Sequence, residues 1–138
     1  MHPEIVADYT NHVGEGPTWN PREQKLYWID IPNGRIFWYD PDTGQHAQMY
    51  EGPVMGGFTM QEDGSLLLFM ENGAVGILRN GKLESVINNL PGENLNRFND
   101  VIADPAGRVF GGTMPKDSDT AMAGEKNGTL YRIDTDGT

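Results

Sequence analysis

One pattern, met three times, constrains this chain more than any other. Asn20-Pro21-Arg22-Glu23-Gln24-Lys25 turns into Leu26-Tyr27-Trp28, Glu62-Asp63-Gly64-Ser65 into Leu66-Leu67-Leu68, and Asp104-Pro105-Ala106-Gly107 into Arg108-Val109-Phe110. A glycine-led second anchor follows each time: Gly34-Arg35-Ile36-Phe37, Gly73-Ala74-Val75-Gly76 and Gly128-Thr129-Leu130-Tyr131. The spacing between units is roughly forty residues, the length of a four-stranded blade of a β-propeller. Strand-like runs are expected at Leu26–Ile31, Arg35–Tyr39, Leu66–Met70, Ala74–Leu78, Arg108–Thr113 and Thr129–Ile133, each bounded by turn residues. No window of helical length carries sustained 3.6-residue periodicity, so the chain reads as all-β.

The 138 residues hold about three such units, whereas a propeller closes with typically 4 to 8 blades. An open set leaves a blade face uncovered and strand edges unpaired. The expectation is therefore that residues 1–138 are the N-terminal half of one propeller domain, completed by further residues or by a second chain. A self-contained β-sandwich of short hairpins is the competing architecture. The 18 glycines and 9 prolines are scattered rather than pooled, which suits frequent turns better than a low-complexity tract.

A formal charge of −10 repels nucleic-acid phosphates and anionic membranes, so neither is expected as a partner. There is no cysteine, hence no disulfide and no thiolate metal site. The first ten residues lack a basic start followed by an apolar run, and no apolar stretch of about 18 residues occurs. A soluble, cytoplasmic protein is the default. His2, His12 and His46 have no ligand spacing, and neither a phosphate loop nor a Gly-x-Ser-x-Gly elbow is present.

Aligning the repeats makes Trp19, Met60 and Ala103 equivalent, and four residues earlier stand Glu15, Gly56 and Asn99. Those positions fall on the innermost strand of each blade, which lines the channel where propellers place their sites. Glu15 and Asn99 are thus expected at a common mouth. Glu15 lies between Gly14 and Gly16, a setting open to a metal ion and equally to a turn glutamate. Asn96-Arg97-Phe98-Asn99-Asp100 offers a planar guanidinium fork beside an amide, or else a hairpin bend. Asp40, Asp42, Asp134 and Asp136 sit in strand-joining turns of a kind that also binds calcium weakly.

Taken together, Glu15-Gly16-Pro17-Thr18-Trp19, Leu26-Tyr27-Trp28-Ile29-Asp30-Ile31, Asn96-Arg97-Phe98-Asn99-Asp100, Asp104-Pro105-Ala106-Gly107-Arg108, Gly112-Thr113-Met114 and Gly128-Thr129-Leu130-Tyr131-Arg132 resemble the regucalcin, gluconolactonase and luciferin-regenerating-enzyme family. The resemblance implies a six-bladed propeller with a divalent cation in its channel, and hydrolysis of sugar lactones. It implies Glu15 as a metal ligand and Arg97 and Asn99 as sugar contacts. It places Asp117, one methylene shorter than the family's glutamate, as a further substrate contact. The family's other two protein ligands to the metal, an asparagine and a catalytic aspartate, lie in later blades, beyond Thr138. No catalytic residue is therefore expected within the chain, which by itself would be inactive.

The oxygen-rich site implied here suits calcium, magnesium, manganese or zinc. Such an ion polarises a lactone carbonyl while a carboxylate activates water. Two rivals stand beside this reading. One is a calcium-binding or interaction propeller without activity, and the other a hydrolase of a different ester class.

Overall fold

The computed structural model describes residues 2–117, 121 and 128–138. It contains eleven strands among those residues, arranged in three antiparallel sheets in which sequential strands are neighbours. The chain divides into two compact units, Met1–Gly52 and Pro53–Thr138. No helix among the described residues is long and apolar enough to cross a membrane.

The first unit holds one four-stranded sheet: β1 (Gly14–Asn20), β2 (Lys25–Asp30), β3 (Arg35–Tyr39) and β4 (His46–Glu51). Tyr27, Ile29, Ile36 and Phe37 are buried, and Trp28 stacks on Phe37 at 5.2 Å between ring centroids. Tyr9, ahead of the first strand, lies 4.5 Å from the Phe37 ring and so ties the N-terminal segment to the sheet.

The second unit holds β5 (Met55–Met60), β6 (Leu66–Met70), β7 (Val75–Arg79) and β8 (Lys82–Ile87) in one sheet. A second sheet comprises β9 (Asn96–Ala103), β10 (Val109–Pro115) and β11 (Leu130–Ile133). Phe69 and Val75 from one sheet meet Phe98, Val109 and Ile133 from the other in a buried cluster. The two first strands approach each other at backbone distance. A Cβ on Gly56 would lie 1.7 Å from the Phe98 carbonyl oxygen, so only glycine fits on β5 opposite β9.

The strands at Arg35–Tyr39 and Leu66–Met70 stand where the sequence places them, and the other four expected runs differ by one or two residues at their ends. The third sheet shows three strands rather than four among the described residues. The outermost strands β4 and β8 give no apolar signal, because most of their side chains face solvent. The turns repeat in hydrogen bonding as they do in sequence. Gln61 N–H donates to Ser65 O, Asp104 N–H to Arg108 O and Asp134 N–H to Thr138 O, with Gly64, Gly107 and Gly137 all at positive φ.

Candidate active site

Each sheet carries a register irregularity on its first strand, at the position that the repeat singles out. Between Glu15 and Thr18 the pairing with β2 gains one residue, and there Gly16 takes φ +64°. On β5 the extra residue is Gly56, and on β9 it is Asn99, which falls between the Asp100–Gly112 and Phe98–Thr113 pairs. Bulges of this kind re-aim a side chain and are frequent beside active sites.

In the first unit, Glu15 opens the bulge and its side chain is exposed. It makes no hydrogen bond or ion pair among the described residues. Its strand is anchored by Asp30, which is fully buried. Asp30 Oδ1 accepts the backbone N–H groups of His12 and Val13, each at 3.0 Å, and Oδ2 accepts Asn33 Nδ2 at 2.7 Å and the Arg35 guanidinium. Burial pushes the Asp30 carboxyl up, but the Arg35, Asn33 and Val13 hydrogen bonds outweigh it and bring it down to about 2. The sequence reading missed Asp30, whose role depends on backbone groups seventeen and eighteen residues away.

In the second unit, Arg97 is half-buried on β9. Its Nη1 donates to Phe98 O at 2.8 Å and to Asn99 Oδ1 at 3.1 Å, so the structure brings Arg97 and Asn99 together directly. Asn99 and Asp100 line a shallow recess with Val101, Thr113 and Met114. Asp117 stands just beyond β10, whose Met114 and Pro115 pair with Arg97 and Asn96, which sets it at the same end of that sheet as Arg97. Its side chain is exposed, and its carbonyl accepts Ala121 N–H at 3.3 Å.

Two further groups at that end gave no sequence signal. Lys116 Nζ bonds Asn72 Oδ1 at 2.7 Å and pairs with Glu71 at 3.1 Å, while Glu71 forms an isolated antiparallel bridge with Arg97. Glu93, fully buried, accepts Asn96 Nδ2 at 2.8 Å and Tyr131 Oη at 2.8 Å. Burial and that carboxylate hold the Tyr131 phenol above its ordinary range.

An exposed carboxylate at a bulge, with no competing partner among the described residues, suits one oxygen ligand of a hard cation. Among the described residues no group of three or more His, Cys, Asp or Glu side chains is placed to hold an ion. The aspartate-rich turns are internally bonded: Asp40 Oδ1 accepts Asp42 and Thr43 N–H groups, and Asp136 Oδ1 accepts Thr138 N–H and Oγ1.

Residues 13–138 match the family described as the SMP-30/Gluconolactonase/LRE-like region. The pentonolactonase of Haloferax volcanii is 51% identical over 133 residues, covering 96% of this chain and 43% of that protein. The structure of a luciferin-regenerating enzyme superposes with a TM-score of 0.77 at 26% identity, over 93% of this chain and 44% of that one. The calcium-binding protein regucalcin of Agrobacterium tumefaciens gives a TM-score of 0.79 at 19% identity, over 97% and 44%. The chain thus spans under half the length of these relatives, and its fold is that of a β-propeller of their type, with about three blades.

Proposed function

The chain belongs to the SMP-30/gluconolactonase/LRE-like family, and from that premise we propose that it supplies the N-terminal half of a divalent-cation-dependent hydrolase of sugar lactones. The hydrogen-bonded pair of Arg97 and Asn99 on the bulge of β9 carries this reading. A guanidinium bonded along its own strand to Phe98 O and Asn99 Oδ1 is held in a set orientation, which is what positioning of a ring hydroxyl needs. Asn99, with its Oδ1 engaged by Arg97, has its Nδ2 as the donor it would offer a sugar oxygen. Asp117 accepts from a sugar hydroxyl at the same end of the sheet.

Glu15 is proposed as this chain's ligand to the cation, with calcium, magnesium, manganese and zinc all compatible with oxygen donors. When bound, the ion would polarise the lactone carbonyl and stabilise the developing oxyanion. The further ligands and the carboxylate that activates water belong to the remaining blades, as further residues or as a second chain. The cytoplasm is the compartment that goes with this reading.

The test is hydrolysis of a panel of pentono- and gluconolactones and of simple esters by the full-length protein, with and without a chelator. Chelator-sensitive turnover of lactones, restored by added cation, is expected. Turnover of esters alone, activity indifferent to chelation, or cation binding without hydrolysis would each overturn it.

A further inference from the structure

Glu93 lies outside every motif of the repeat, yet it is fully buried and bonds both Asn96, at the start of the candidate sugar-binding strand, and Tyr131 on β11. On one side, its Oε2 accepts Asn96 Nδ2 at 2.8 Å and its carbonyl accepts Asn96 N–H at 2.9 Å. Asn96 immediately precedes Arg97. On the other side, its Oε1 accepts Tyr131 Oη at 2.8 Å, and the Tyr131 ring meets the Phe98 ring edge-on at 6.3 Å between centroids. Phe98 separates Arg97 from Asn99, is fully buried and is also held edge-on by Phe69 at 5.2 Å. One carboxylate therefore connects the start of β9 to the far strand β11, and the two buried residues it holds, Asn96 directly and Phe98 through the Tyr131 ring, stand before and after Arg97 in the chain.

Burying a carboxylate is costly unless its oxygens are hydrogen-bonded, and an apolar side chain would fill the same space without that cost. A directional clamp on β9 is what the carboxylate adds. We propose that Glu93 is a positioning residue for the Arg97–Asn99 pair, acting through Asn96 and Tyr131 to hold the guanidinium in the plane that a sugar lactone requires. This rests on the proposed lactonase reading for its kinetic consequence, while its structural consequence stands apart from it.

The experiment compares Glu93→Ala, Glu93→Gln and Tyr131→Phe in the full-length protein, by lactone kinetics and by NMR of the Arg97 Nε–Hε group. Glu93→Ala is expected to speed exchange of that proton about tenfold and to lower kcat/KM by ten- to a hundredfold, the scale at which misplacement of an orienting group is felt. Glu93→Gln is expected to restore most of both, because its amide oxygen accepts from Asn96 and its NH2 donates to the Tyr131 hydroxyl. Should Glu93→Ala not fold, Tyr131→Phe decides, with a smaller change of the same sign in the Arg97 signal. An unchanged Arg97 signal in folded Glu93→Ala or, where that variant does not fold, in Tyr131→Phe, or a kinetic loss in Glu93→Ala no larger than the loss of folded protein, would overturn the positioning role. A wild-type protein that hydrolyses no lactone refutes the proposed function instead and leaves the Arg97 signal to judge Glu93.

Discussion

Arg97 Nη1 donates to Asn99 Oδ1 at 3.1 Å, so the two residues proposed to meet the sugar also hold each other. Side chains two apart on a strand lie on one face, and the bulge of β9 falls at Asn99 itself. Arg97→Lys keeps the charge and loses the planar fork. It is expected to cost about 1–3 kcal/mol in kcat/KM while leaving cation affinity nearly intact. Steady-state kinetics and a metal titration check it; equal loss of both, with lower thermal stability, marks Arg97 as structural.

Glu15→Gln preserves shape and removes charge. At least a roughly tenfold loss of cation affinity in the full-length protein is expected, on the scale by which metal-supporting groups matter. Calorimetric titration gives the answer, and an unchanged affinity assigns Glu15 to the bulge alone.

Asp30 makes the first unit sensitive to acid. Its carboxyl lies at about 2 in the folded chain, below the ordinary value of about 3.9. The folded state therefore binds the proton less readily than the unfolded one. The resulting stability is present above pH ~4 and is lost as pH falls toward about 2. Asp30→Asn is expected to destabilise by about 3 kcal/mol at neutral pH, since Arg35 loses its buried partner. It should also flatten the acid limb of stability measured by denaturant titration from pH 5 to 2; an unflattened limb assigns that limb to other carboxylates.

Gly56→Ala places a methyl group against the Phe98 carbonyl, where the Cβ would stand at 1.7 Å. Backbone has nowhere to yield at that separation, and a loss of about 3 kcal/mol or more is expected in the second unit. A thermal midpoint within a degree or two of wild type would show that β5 and β9 can part.

Ile102 and Leu130 are 70% and 74% exposed on the sheet of β9, β10 and β11, beside the exposed Met114. On the half-propeller proposal, the remaining blades would cover these side chains. Residues 1–138 expressed by themselves are expected to be inactive toward lactones and to self-associate. Light scattering and a lactone assay check this, and a monomeric, active 138-residue protein refutes the half-propeller proposal.

The blade repeat was legible because each turn is a local matter. Asp104-Pro105-Ala106-Gly107 closes on itself through Gly107 at φ +82° and the Asp104–Arg108 bonds, with no help from distant residues. Strands β3 and β6 were legible because their apolar residues are buried in runs. The positions of Glu15 and Asn99 on the first strands followed from counting along that repeat. Strands β4 and β8 were not legible, since solvent-facing side chains leave no pattern to read. Neither were Asp30, Glu93 or the bulge at Asn99. A buried carboxylate looks like any other in sequence, and its role appears only when chain folding brings His12, or Tyr131 thirty-eight residues away, within hydrogen-bond reach. The sequence by itself determined the repeat and which residues stand on the first strand of each unit. Only the tertiary structure decided what holds those residues in place, because hydrogen bonds between distant segments exist only after the sheets have packed.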